Sequence, residues 1–229
     1  MKCLKYTHMG YIMLGMNKKI LMIYVLFTSS IIFFVDARAV SYPQAWTLMT
    51  KNNAQTSRFH VHYSPSYAHS LGVVFEKDRL LRTSLYHLQT NYLLSRRNTR
   101  KTQRNLYLKL QLGVAHQEKK SAESYRLTLD GDWESRRYFS SYHINVQSRG
   151  FLKHPYIDQQ LRLGFAPYIA PYGALHTWIF GQLNHYPSVK IKSKHVIYQL
   201  ILRFFKGVNL VEIGIDQHKQ GMLNFIRRL

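Results

Sequence analysis

The chain has 229 residues, enough for one large domain or two small ones, and 14% of them are aromatic. It carries 32 Lys and Arg against 11 Asp and Glu, for a net charge of +21. That surplus admits nucleic acid, an anionic membrane surface or small anionic solutes as partners. The single cysteine is Cys3, so disulfides, thiol catalysis and a cysteine-borne lipid anchor are excluded everywhere downstream of it.

Residues 17–39 have the three parts of a secretory signal. Asn17-Lys18-Lys19 is the charged start, Ile20 to Val35 is the apolar run, and Ala37-Arg38-Ala39 is a small-x-small cleavage site. Cleavage is expected near Ala39, between it and Val40. An uncleaved anchor is the competing reading, because the apolar run is slightly long. Residues 1–15 read as an upstream extension, with Met16 as the alternative start. The mature chain keeps 27 Lys and Arg against 10 Asp and Glu. Export argues against a nucleic-acid partner, and no DNA- or RNA-binding motif supports one.

Beyond residue 40 no apolar run approaches the ~20 residues that a membrane helix needs. The chain alternates instead. Phe59, Val61 and Tyr63 oppose Arg58, His60 and His62, and Leu71, Val73 and Phe75 share a face near Glu76. Leu106, Leu108, Leu110, Leu112 and Val114 oppose Tyr107, Lys109, Gln111 and Gly113. Tyr125, Leu127, Leu129, Gly131 and Trp133 oppose Arg126, Thr128, Asp130, Asp132 and Glu134. The same pattern recurs at Tyr142–Val146, Leu161–Phe165, Val196–Phe204 and Val211–Ile215. Only a strand separates such sets; a helix would scatter them round its axis. Breaks at Asn52-Asn53, Ser64-Pro65-Ser66, Lys119-Lys120-Ser121, Ala170-Pro171-Tyr172-Gly173, Lys206-Gly207 and Gln220-Gly221 supply the turns. About twelve strands are predicted, at 44–51, 57–63, 69–77, 83–96, 104–117, 122–136, 138–150, 157–168, 174–186, 194–205, 208–217 and 221–229. Merging pairs at 57–77 or 122–150 would reduce them to ten or eight, and an even number is expected of a membrane barrel.

A soluble sandwich or ligand-binding barrel would also alternate. Three features favour an all-β, up-and-down antiparallel transmembrane barrel over residues 40–229. The polar face carries bulky charges of both signs, as a filled lumen would, while the Leu/Val/Ile face suits lipid. Aromatics such as Trp46, Tyr63, Tyr92, Trp133, Tyr138 and Phe204 fall near strand ends, where interfacial girdles belong. No disulfide or long loop compensates for a small core.

The segments SYPQAWTLMTKNN, FHVHYSP, NLYLKLQLGVA, GFAPYIAPYGALHTW and RFFKGVNLVEIG carry a resemblance. With them, residues 40–229 resemble the outer-membrane β-barrel proteins of Gram-negative bacteria, and in particular a proteobacterial barrel family. The resemblance implies outer-membrane location, contact with outer-membrane lipid or lipopolysaccharide, and insertion by the barrel-assembly machinery. It carries no activity over. The chain departs from the pattern at its end: it closes on Leu229 after Arg227 and Arg228, where such barrels usually close on Phe.

Within the expected lumen, Arg126, Asp130, Asp132, Glu134, Arg162, Arg203 and Glu212 form a candidate polar network. There Arg126, Arg162 and Arg203 are the natural partners of Asp130, Asp132 and Glu134. His60 and His62, two apart on one strand face, are a candidate metal pair for Zn, Cu or Ni; His87 and His143 fall on other polar faces. Arg96, Arg97, Arg100, Lys101 and Arg104 form the strongest basic cluster, suited to anions or lipid headgroups, and Lys190, Lys192 and Lys194 form another. No cofactor motif is present, and no Ser/His spacing selects a catalytic set. The expected function is a structural or envelope role, or narrow transport of a small or anionic solute. A lipid-modifying outer-membrane enzyme and a soluble periplasmic ligand-binding barrel are the alternatives.

Overall fold

The computed structural model describes residues 43–229 apart from 80, 119, 153, 172 and 189–195. The leader, its cleavage site and Lys190, Lys192 and Lys194 lie outside the described residues. Every regular element among those residues is a strand. They are β1 (Ala45–Asn52), β2 (Thr56–Ser64), β3 (His69–Asp78), β4 (Thr83–Asn98), β5 (Thr102–Gln117) and β6 (Lys120–Ser135), followed by β7 (Tyr138–Arg149), β8 (Tyr156–Phe165), β9 (His176–His185), β10 (Val196–Lys206), β11 (Asn209–Asp216) and β12 (Gly221–Arg228). Each strand pairs antiparallel with its sequence neighbours, and β1 also pairs with β12, so the sheet closes into an up-and-down barrel. The pairs at 57–77 and 122–150 do not merge. β8 ends at Phe165, short of the expected 168, because Pro167 has no N–H to give the ladder.

The closing seam runs from Thr47 against Arg228 to Asn52 against Leu223. Leu229 extends it: its N–H donates to the Trp46 carbonyl at 2.8 Å, and the Trp46 N–H donates to the Leu229 carbonyl at 3.0 Å. The unusual C-terminal residue therefore still completes the ladder, because that contact is made by backbone.

Period-two alternation becomes inside-out burial. Leu88 is 68% exposed, Leu112 59% and Tyr198 58%, all on the outer face. Facing inward, Gln147 is 0% exposed, Arg149 1% and Gln111 2%. A soluble barrel would show the reverse. An apolar band covering the whole outer wall far exceeds the patches tolerated in water and needs lipid as its solvent. Aromatics sit on the outer wall at two levels. Trp46 pairs with Tyr63, and Tyr138 with Phe165, towards the rim that holds the chain termini. Phe59, Phe75 and Tyr86 form one row towards the other rim.

Two details set which side chains enter the lumen. A register shift between Leu93 and Ser95 resets the alternation of β4, turning Arg96 inward and Arg97 outward. Gly164 faces the Phe180 ring so closely that any Cβ would collide with it, and at Gly113 a Cβ would strike the Tyr86 carbonyl.

Candidate functional site: the barrel lumen

The lumen is filled unevenly, by three charged groups on different parts of the wall. Between β3 and β7, Glu76 accepts two bonds from the Arg126 guanidinium, each 2.7 Å. Arg126 also donates to Gln147 at 2.7 Å, and Arg149 donates to Asp78 at 2.8 Å and to Gln147 at 3.1 Å. All five side chains are buried, so this end of the lumen is packed with paired charge. Bidentate, charge-assisted contacts of this kind hold a fixed geometry.

A second group spans β8 to β12. Glu212 accepts from Arg162 and from Arg203 Nε at 2.8 Å each, while Asn224 donates to its other oxygen at 2.7 Å. Gln182 accepts twice more from Arg162, at 2.8 and 2.6 Å. Both guanidiniums also lie over the Phe180 ring, Arg203 at 4.5 Å and Arg162 at 5.3 Å from its centroid. Phe180 packs with Ile201, Met222, Phe139 and Trp178 into an apolar shelf inside the barrel. The lumen is therefore polar with one apolar patch, which the sequence reading did not single out. The signal was present in β9, where Trp178-Ile179-Phe180 puts apolar side chains on both faces; that is what a strand between lipid and an apolar core needs.

The third group is looser. Lys109 pairs with Asp130, which also meets His143 Nδ1 at 3.1 Å, and Asp158 accepts from Asn145 at 2.6 Å. Asp132 accepts from Asn105 at 2.7 Å, and Asn105 in turn accepts from Arg96 at 2.5 Å. Arg96 also donates to the Tyr107 hydroxyl at 3.0 Å.

Between these groups lies a cavity of about 460 Å³. Lys51, Arg58, Lys109, Arg162, Arg203 and Arg228 line it against only three carboxylates, Asp130, Asp132 and Glu212. From β1 to β5 its wall holds no carboxylate at all. Lys51 and Arg228 make no ion pair among the described residues. The same wall presents buried polar atoms without a protein partner: Thr47 Oγ1, His60 Nε2, both His62 ring nitrogens and Gln111 Oε1.

The candidate residues separate accordingly. Arg126, Arg162, Arg203, Asp130, Asp132 and Glu212 all face inward, but Arg126 pairs with Glu76, and Arg162 and Arg203 share Glu212. None of the three arginines ion-pairs with a β6 carboxylate. Glu134 lines a separate cavity of about 730 Å³ at the termini-bearing mouth, with Trp178, His176 and Phe205. The His60 and His62 ring centroids lie 4.7 Å apart, with the ring planes tilted by 34°. Among the described residues no third His, Cys, Asp or Glu joins them in a metal-binding group. Of the basic cluster, Arg96 is inside, Arg97 and Arg104 face each other on the outer wall, and Arg100 and Lys101 occupy the turn. Glu76, Asp78 and Arg149 were missed as network members, because nothing in one strand's pattern tells which inward side chains of other strands it will meet.

No protein-family model matches the sequence, and no curated protein matches it either. Solved structures do. The KdgM porin aligns over 80% of this chain and 97% of its own, at 7% identity and a TM-score of 0.50. The same porin in complex with disordered oligogalacturonate aligns with a TM-score of 0.49 at 7% identity, over 80% of this chain and 97% of that one. OccAB4 of Acinetobacter baumannii aligns with a TM-score of 0.40 at 7% identity, over 80% and 56% of the two chains. At such identities the likeness is one of fold alone: a porin-like, closed antiparallel barrel.

Proposed function

We propose that this outer-membrane barrel is a narrow channel that passes small anionic solutes in preference to cations. The porin likeness speaks to the fold alone, so the reading rests on one observation: six Lys and Arg against three carboxylates around the central cavity. Low-dielectric walls focus such an imbalance and raise the local concentration of the opposite charge. The cross-strand ion pairs of Glu76 and Glu212 keep the passage small, and the part of the cavity lining supplied by β1, β2, β4 and β5 offers an anion donors with no carboxylate among them.

Swelling of proteoliposomes tests the reading with sugars of nearly equal size. Glucuronate is expected to enter fastest, glucose next and glucosamine slowest. Lys51→Glu combined with Arg228→Glu, which breaks no ion pair, is expected to abolish that order. Glucosamine leading, or no swelling above protein-free vesicles, would contradict the channel reading. The barrel reaches its membrane through the export leader, so sequencing of the mature protein is expected to begin at Val40. A protein beginning at Met1 or Met16 would mean the leader is retained.

A further inference from the structure

The hairpin of β4 and β5 raises a question that the lumen does not answer. Arg97 and Arg104 are direct cross-strand partners, and both are exposed on the outer wall. Like charges placed opposite one another on a sheet are destabilising unless something neutralises them. Neither forms an ion pair among the described residues. The carboxylates of β6, Asp130, Asp132 and Glu134, all lie on the opposite, lumenal face of that strand. Among the described residues, Arg97, Arg104, Thr99 and Thr102 line a cavity of about 190 Å³. The turn beneath it is closed by two hydrogen bonds: the Thr99 N–H donates to the Thr102 carbonyl at 2.8 Å, and the Thr102 N–H donates to Thr99 Oγ1 at 2.9 Å.

Position decides what fills the gap. Arg104 stands in register with Trp133 on β6, and Trp133 is outward-facing. Trp and Tyr mark the level of the lipid headgroups, and Trp46, Tyr63, Tyr138 and Phe165 gather towards the same rim. Arg136 and Arg137, both exposed, follow in the adjoining β6–β7 turn. We infer that Arg97 and Arg104 form a binding site for the phosphate of a membrane lipid headgroup, at the rim that carries the chain termini. Two planar guanidiniums can each grip phosphate oxygens bidentately, and the threonines give the pocket a polar floor. Arg96 takes no part, because the bulge has turned it into the lumen.

Native mass spectrometry of the folded full-length protein in detergent tests this, with phosphatidylglycerol, phosphatidylethanolamine, diacylglycerol and inorganic phosphate as probes. Both phospholipids are expected to stay bound and diacylglycerol to be lost. Arg97→Gln with Arg104→Gln is expected to weaken phospholipid retention at least tenfold, with heat-dependent gel mobility confirming that the barrel is intact. Arg97→Lys with Arg104→Lys, which keeps the charge but not the fork, is expected to fall between. A control pair at the other rim, Lys77→Gln with Arg79→Gln, is expected to leave retention unchanged. Equal retention by the double glutamine variant, or equal loss in the control, would overturn the site. Inorganic phosphate binding as tightly as phospholipid would overturn the lipid assignment and leave a free-anion site.

Discussion

Glu212 holds two guanidiniums and an amide at once, in the same buried layer of the lumen. Charges taken out of water demand a partner, and deleting one member of such a pair costs more than the pair itself contributes. Glu212→Gln would strand Arg162 and Arg203 against each other and is expected to destabilise the barrel by about 3–5 kcal/mol. Urea titration in detergent, followed by tryptophan fluorescence, measures it. An unchanged midpoint would mean that water or another acid already serves those arginines. Gly164 makes a different demand, for space. Its missing side chain admits the Phe180 ring, on which Arg203 rests. Gly164→Val is expected to displace that ring and lower the same urea midpoint, with an effect of about 1–3 kcal/mol for overpacking.

Each strand presents one face to lipid and one to the lumen, and the two faces tolerate charge differently. Leu200, in the middle of β10, is exposed on the outer wall. Leu200→Arg is expected to cost about 2–4 kcal/mol near the bilayer midplane, measurable by reversible unfolding in lipid vesicles. An Arg tolerated there without loss would contradict the lipid-facing assignment. The strand pattern was readable in advance because the side-chain period of a strand is two, and because Pro167, the Lys206-Gly207 break and Gln220-Gly221 mark where ladders stop. The lumen was readable only as a list. Arg126 was legible as an inward charge, but not as the partner of Glu76, which lies 50 residues earlier and three strands away. Strand number and stagger decide such meetings, and neither is written in a single strand. The bulge at Leu93/Ser95 was likewise silent in sequence; it divided one basic cluster into a lumenal Arg96 and an outer pair, Arg97 and Arg104.

Across the whole barrel, the charges are sorted by location. Of the carboxylates after residue 40, only Glu118 and Glu123 lie outside the lumen-facing rows. Inside, most acids are already bound by arginine, lysine or amide partners, so among the described residues the surplus cations Lys51 and Arg228 face the cavity without an ion pair. A nearly neutral, tightly paired lumen would act as a plug, whereas a lumen with unpaired cations favours the passage of anions. Field focusing in a narrow, low-dielectric passage makes a small imbalance effective, and added salt weakens it. Selectivity is therefore expected to be strongest at low ionic strength and to decline as salt rises. The reversal potential of the purified protein in a planar bilayer under a potassium chloride gradient measures this anion preference. A potential on the chloride side of zero is expected, moving towards zero for Lys51→Glu with Arg228→Glu; a potential on the potassium side, or no conductance at all, would mean that the barrel is not an anion-preferring channel.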